Sequence, residues 1–164
     1  MTDYLSETFR EFLHGEYIAH LYNFSVDDHF FVMVFTEIDI NDINYHAFRN
    51  EEAGFHIPAH CFDVKFDRVD NFENETYFQP PPKGKCSRKY SFPGDLSENI
   101  ERIITLHLTT YKARAYFAVA ETQKLKRYYD RVLQQRTDHI VYKATNGHGE
   151  KGMGYVLRTR YFSS

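Results

Sequence analysis

The chain has 164 residues, 42% hydrophobic and 26% charged, which is ordinary usage for a folded globular chain. A core of this size can bury roughly 70% of the unfolded surface without a metal or disulfide staple, and the longest apolar run, Phe30 to Phe35, is too short to cross a bilayer. The net charge of −3 hides a polarity: residues 1–80 hold 4 Lys or Arg against 16 Asp or Glu, and residues 81–164 hold 16 against 7.

In chain order, Ser6 to Gly15 reads as a short helix, with Ser6 or Thr8 as its cap, Phe9, Phe12 and Leu13 on one face, and Gly15 as its stop. Tyr17 to Phe24 and Phe30 to Glu37 are rich in β-branched and aromatic residues around turn chemistry at Val26 to His29, which predicts a hairpin. Asp39 to Pro58 lacks sustained periodicity and is expected to be a loop. Cys61 to Val69 alternates, with Phe62, Val64 and Phe66 opposite Asp63, Lys65 and Asp67, predicting a strand with one buried face. Asn71 to Gly94, broken by Pro80-Pro81-Pro82, Gly84 and Pro93-Gly94, is expected to connect two halves of one domain spanning residues 1–164.

The basic half carries clearer patterns. Asp95-Leu96-Ser97-Glu98 has the form of a capping box, followed by Ile100, Ile103, Ile104, Leu106, His107, Leu108 and Tyr111 on a helix with a broad apolar face. Arg114 to Ala120 reads as a central strand, and Thr122 caps a second helix whose Leu125, Tyr128, Tyr129, Val132 and Leu133 share a face opposite Lys124, Lys126, Arg127 and Arg131. His139 to Thr145 and Gly154 to Tyr161 are expected to be closing strands around the loop Asn146 to Met153. The fold class is therefore α+β: a mixed, mostly antiparallel sheet with packed helices and a C-terminal α-β-α-β-β unit.

Motifs that carry chemistry are sparse. Gly147-His148-Gly149-Glu150-Lys151-Gly152 matches G-x-G-x-x-G, but a strand follows it where a dinucleotide site needs a helix N-terminus, so a hairpin tip is expected. His56, His60 and Cys61 lie within six residues and Cys86 could add a fourth ligand, yet Pro58 opposes a helix that would align the imidazoles, and no metal is expected. The other cysteine chemistry points the same way, since two thiols in a chain without an n-region or h-region are expected to be reduced and cytoplasmic. Lys126, Arg127 and Arg131 beside Tyr128 and Tyr129 form a basic and aromatic mixture, but the tyrosines belong to the apolar face and the acidic half repels a polyanion, which argues against nucleic acid.

The helix, the strand ending Ala118-Val119-Ala120-Glu121, the segment Thr122-Gln123-Lys124-Leu125-Lys126-Arg127-Tyr128-Tyr129-Asp130-Arg131 and the closing strand pair together resemble the later half of a GNAT acyltransferase. The resemblance covers residues 100–160 and implies acetyl coenzyme A as the acyl donor, with Tyr129 as the general acid for the departing thiolate. The family's pyrophosphate loop has no counterpart in Lys89-Tyr90-Ser91-Phe92-Pro93-Gly94-Asp95, which holds one glycine. The same segment also resembles small phage and prophage proteins of no defined activity.

With no further catalytic signature, the primary expectation is a non-enzymatic protein-binding regulator of the inhibitor, immunity or antitoxin type, encoded by a phage or other mobile element, with no cofactor and no membrane contact. Its contact surface for a host or cognate protein would be Asp27, Asp28, Glu37, Asp39 and Asp42, gathered in one negative patch at the hairpin end. The alternative is the GNAT-like acyltransferase with Tyr129 at its centre.

Overall fold

The structure, a computed structural model, describes residues 9–14, 17–74, 92–135, 143–148 and 152–162. Among the described residues seven strands form one sheet in the order β1-β2-β3-β4-β5-β7-β6, with β1 at Arg10–His14, β2 at Tyr17–Val26, β3 at His29–Glu37, β4 at Cys61–Arg68, β5 at Ala115–Val119, β6 at Lys143–His148 and β7 at Gly154–Arg158. Neighbours pair antiparallel except β4 and β5, which run parallel. The helices are α1 at Ile43–Ala53, α2 at Val69–Asn74, α3 at Phe92–Tyr111 and α4 at Gln123–Gln135. The expected α+β class, with a mixed and mostly antiparallel sheet, is the architecture observed. Among the described residues no helix is long and apolar enough to cross a membrane.

Alternation along the strands covers both faces of the sheet. Tyr22, Phe24 and Val26 of β2, Phe31, Met33 and Phe35 of β3, Phe62 and Val64 of β4 and Tyr116 of β5 share one face, sealed by Leu96, Ile100, Ile103 and Leu108 of α3. On the other face Cys61, Ala115, Phe117 and Val156 join Ile38, Ile57 and Ala53, the last residue of α1. Pleat geometry puts successive residues on opposite faces, so Phe62 serves the first cluster and Cys61 the second. The β2–β3 turn places Asp27 and Asp28 at φ 51° and 65°, the left-handed pair that a two-residue hairpin needs and that Asp tolerates.

Three expectations from sequence are corrected here. Arg10 to His14 forms a strand and not part of a helix: it pairs with Tyr17 to Leu21, and that ladder satisfies backbone groups that a short isolated helix leaves marginal. Ser6 to Thr8 and Gly15 lie outside the described residues. Within the expected loop Asp39 to Pro58, Ile43 to Ala53 is helical. Its ends are fixed by capping: the Asp42 side chain accepts from Tyr45 N at 3.1 Å, and Gly54, at φ 80°, donates its N–H to Asn50 O at 2.9 Å. Val69 to Asn74 is likewise helical where a connector beginning at Asn71 was expected, whereas residues 75–91 lie outside the described residues.

Boundaries shift elsewhere. Helix α3 begins at Phe92, so Asp95 stands in its first turn and is not the cap, and a proline in that turn removes an N–H that has no intrahelical partner. Thr122 does cap α4, accepting from Leu125 N at 3.1 Å. Strand β6 runs on to His148, taking in the first residues of the expected loop, and the ladder skips Gly147 as a bulge between Asn146 and His148. The expected start of this strand at His139 and the remainder of the loop, residues 149–151, fall outside the described residues.

Because α1 is held by its caps more than by an apolar stripe, Asp42→Ala is expected to lower stability by about 1 kcal/mol, read as a shift of the urea midpoint with an unchanged slope.

Candidate functional site

The parallel junction between β4 and β5 is short. It consists of Cys61 opposite Ala115, Phe62 opposite Tyr116 and Asp63 opposite Phe117. Beyond it β4 continues through Val64 to Arg68 paired to β3 alone, and β5 continues through Ala118 and Val119 paired to β7 alone. The two strands thus part toward their C-terminal ends. A strand directs alternate backbone groups to either side, so each strand presents polar groups to the gap. Among the described residues, no backbone hydrogen bond outside the ladders involves Val64, Lys65, Phe66, Ala118 or Val119.

Tyr129 of α4 lies over this gap. Its ring centroid is 6.0 Å from Phe66 of β4 and 5.6 Å from Tyr155 of β7, and Tyr155 is the register partner of Ala118. The ring therefore bridges from β4 to β7 across the small Ala118. Burial, reinforced by Glu121, Tyr128, Tyr155 and Asp67, pushes the Tyr129 phenol well above its ordinary range and keeps it protonated. The neighbouring hydroxyls are engaged: Tyr155 donates to Asp130 Oδ1 at 2.6 Å, and Tyr128 shares a 2.9 Å hydrogen bond with Ser97. Val119, 55% exposed, stands at the end of β5 beside the gap.

The point where the strands part is pinned from the opposite face. Arg49 of α1 holds Asp63 through two bonds, Nη1 to Oδ2 at 2.7 Å and Nη2 to Oδ1 at 2.5 Å, while its guanidinium lies 5.6 Å from the rings of Tyr45 and Phe117. Asp63 and Phe117 are the last paired residues of the junction, so one side chain grips both strands where they separate.

The five carboxylates expected to form one patch do not share a surface. Asp27 and Asp28 are exposed at the β2–β3 turn. Glu37, Asp39 and Asp42 lie at and beyond the other end of β3, which at nine residues is roughly 30 Å long. Glu37 is 3.8 Å from His60, Asp39 accepts from Asn41 N at 2.8 Å, and Asp42 is the α1 cap. Local turn and cap chemistry thus occupies part of the acidic set. Several ion pairs also form within one half of the chain, Arg49 with Asp63 and Arg68 with Asp70 in the acidic half and Lys126 with Asp130 in the basic half.

His56, His60 and Cys61 near Pro58 separate as well. His56 lies 4.9 Å from the His46 ring, His60 turns to Glu37, and the Cys61 thiol is enclosed, its pKa pushed up to about 12 by burial. Cys86 is outside the described residues. Among those described, no group of three His, Cys, Asp or Glu is placed to hold a metal ion. Comparison with known proteins adds no identity: no family model, no curated protein and no solved structure matches the chain.

Sequence reading missed a polar line inside the α3-side core. His20 Nδ1 of β2 is 2.9 Å from His107 Nε2 of α3, and His107 Nδ1 is 2.8 Å from Tyr116 Oη of β5. The signal was present as a histidine on the apolar face of α3 and another in an apolar strand, but their meeting depends on the sheet order. Burial, with a further contribution from His20, lowers the His107 pKa to about 2, and burial also lowers that of His20 against an opposing pull from Glu11.

The His107 imidazole is neutral when folded, while an unfolded histidine titrates near 6.5, so its contribution is present above about pH 6.5 and lost as pH falls below it. His107 alone is expected to remove about 1.4 kcal/mol of stability per pH unit below that point. Urea melts at pH 7 and pH 5 check this, and the loss between them should shrink in His107→Phe.

Proposed function

We propose that the gap between β4 and β5 binds the extended arm of an acyl thioester and that the chain is a GNAT-like acyltransferase using acetyl coenzyme A. The observation that carries this reading is the parting of two parallel strands after Asp63 and Phe117, with a protonated tyrosine above the opening. An open strand edge binds an extended chain through main-chain hydrogen bonds, and a pantetheine arm carries two amides suited to it. Acetyl coenzyme A would supply the acyl group to an acceptor amine and depart as the thiol, the proton released by the amine replacing the one that Tyr129 gives to sulfur.

The chain's own residues then have defined tasks. The β4 edge from Val64 to Phe66 orients the arm. Arg49 and Asp63 hold the point from which the strands diverge. Tyr129 donates a proton from Oη to the leaving sulfur, for which its neutral form is required. The helix end of α3 is less suited to a pyrophosphate, because Asp95 stands in its first turn and opposes an anion there. Affinity in this reading therefore comes chiefly from the arm. The protein-binding regulator expected from the charge polarity has weaker support, since its five carboxylates lie in two groups about a strand length apart.

Thermal shift with coenzyme A and with acetyl coenzyme A tests the reading: ligand at a hundred times its dissociation constant should stabilise the fold by about 2.7 kcal/mol. Absence of any shift at millimolar ligand would end it. If binding is found, Tyr129→Phe should retain it while lowering the rate of acyl transfer by roughly a hundredfold, measured as thiol release.

A further inference from the structure

The line Tyr116, His107 and His20 holds three protons when neutral, and these can be ordered in two ways. In the outward order, Tyr116 Oη donates to His107 Nδ1, His107 Nε2 donates to His20 Nδ1, and His20 keeps its own proton on Nε2. In the inward order, His20 Nδ1 donates to His107 Nε2, and His107 Nδ1 donates to Tyr116 Oη. The Tyr116 proton must then find another acceptor in a site where that residue is 1% exposed. Its hydroxyl has His107 as its side-chain partner among the described residues. An enclosed donor without an acceptor disfavours the inward order by roughly five- to a hundredfold.

We propose that this line is a proton-order switch that senses acid at His20. His20 is its outer end: it is 4% exposed against 0% for His107, and its ring stacks on Tyr111 at 3.8 Å and 7°. Tyr111 Oη in turn donates to Glu11 Oε2 at 3.1 Å, bringing a carboxylate on β1 beside the imidazole. When His20 becomes an imidazolium it carries protons on both nitrogens, so His107 Nε2 must accept. The folded chain gains one proton: His20 goes from one to two, His107 keeps one but moves it from Nε2 to Nδ1, and Tyr116 keeps one that no longer points at His107. Protonation of one ring therefore reverses the whole line.

The groups facing the line come from every element packed on it. Glu11 comes from β1, Tyr111 from α3 and Tyr116 from β5, while Phe9 before β1, Phe35 of β3 and Phe62 of β4 supply uncharged walls. Glu11 is the one carboxylate of this set, and it favours the charged form of His20. Tyr116 opposes that form, because reversal strands its proton. The two residues thus set the trigger point from opposite directions.

Nitrogen-15 spectra of the histidine rings, recorded on the full chain from pH 8 to pH 4.5, test the proposal. At pH 8 both His20 and His107 should carry their proton on Nε2. On acidification His20 should gain Nδ1–H while the His107 proton moves to Nδ1 with the same midpoint. Glu11→Gln, at an exposed site, should weaken proton binding at His20 about twofold. Tyr116→Phe should strengthen it roughly tenfold, because the neutral order then no longer satisfies His107 fully. The proposal is overturned if His20 titrates while the His107 proton stays on Nε2. It is equally overturned if the chain unfolds before a protonated folded form appears.

Discussion

The structure depends on one imidazole. His107, in the C-terminal part of α3, touches four consecutive strands: it bonds to His20 of β2, stacks on Phe35 of β3 at 4.0 Å and 10°, meets the edge of Phe62 of β4 at 4.7 Å, and bonds to Tyr116 of β5. Apolar residues on either side, Ile103 and Leu108, supply burial, but burial alone would not fix the rotation of the helix over the sheet. Two directed hydrogen bonds do, since sliding α3 by one residue would leave three enclosed polar groups without partners. A neutral histidine serves here because one ring nitrogen donates while the other accepts, which no aliphatic side chain can do.

The opposite face obeys a related rule with charge in place of neutral polarity. Arg49 joins α1 to the sheet through Asp63 and lies against Phe117, so its aromatic contact and its ion pair both converge on the last rung of the parallel junction. A half-buried pair of this kind contributes little net stability if replaced by well-packed apolar groups, but it specifies position. The sheet is therefore locked from above by an imidazole and from below by a guanidinium, at adjacent rungs of one junction. Past that junction the strands follow their antiparallel neighbours, β4 with β3 and β5 with β7, and the gap is the consequence.

Legibility in the sequence tracked how local each cause was. The hairpin β2–β3, strand β4, helix α3, strand β5 and the Thr122 cap of α4 rest on alternation, helical spacing or a single capping side chain, all visible within a few residues. Helix α1 was missed because only Ala53 of it is buried, so no apolar period marks it, and its determinants are Asp42, Gly54 and a long-range pair with Asp63. Strand β1 was misread because Phe9 and Leu13 suit a helical face until the partner strand is known. Tyr129 was singled out only through a resemblance in residues 100–160, and its place over the opening required the order β4-β5-β7, which no local pattern contains. The acidic set failed as a patch for the same reason: a count of charges along the chain says nothing about the length of the strand between them.

The two polar devices are also close enough to communicate. Tyr116, the inner end of the histidine line, pairs with Phe62, and the next rung, Asp63 with Phe117, is the last before the strands part. Phe62 is itself in edge contact with His107 and lies 5.4 Å from the His20 ring, so the wall of the line is also a strand of the junction. A change in which atom of Tyr116 or His107 needs a partner thus falls one residue from the mouth of the gap. Close-packed interiors transmit such a change because displaced rings have no free volume to enter. The enclosed histidines consequently pack against the rung next to the one where, among the described residues, β4 and β5 cease to pair.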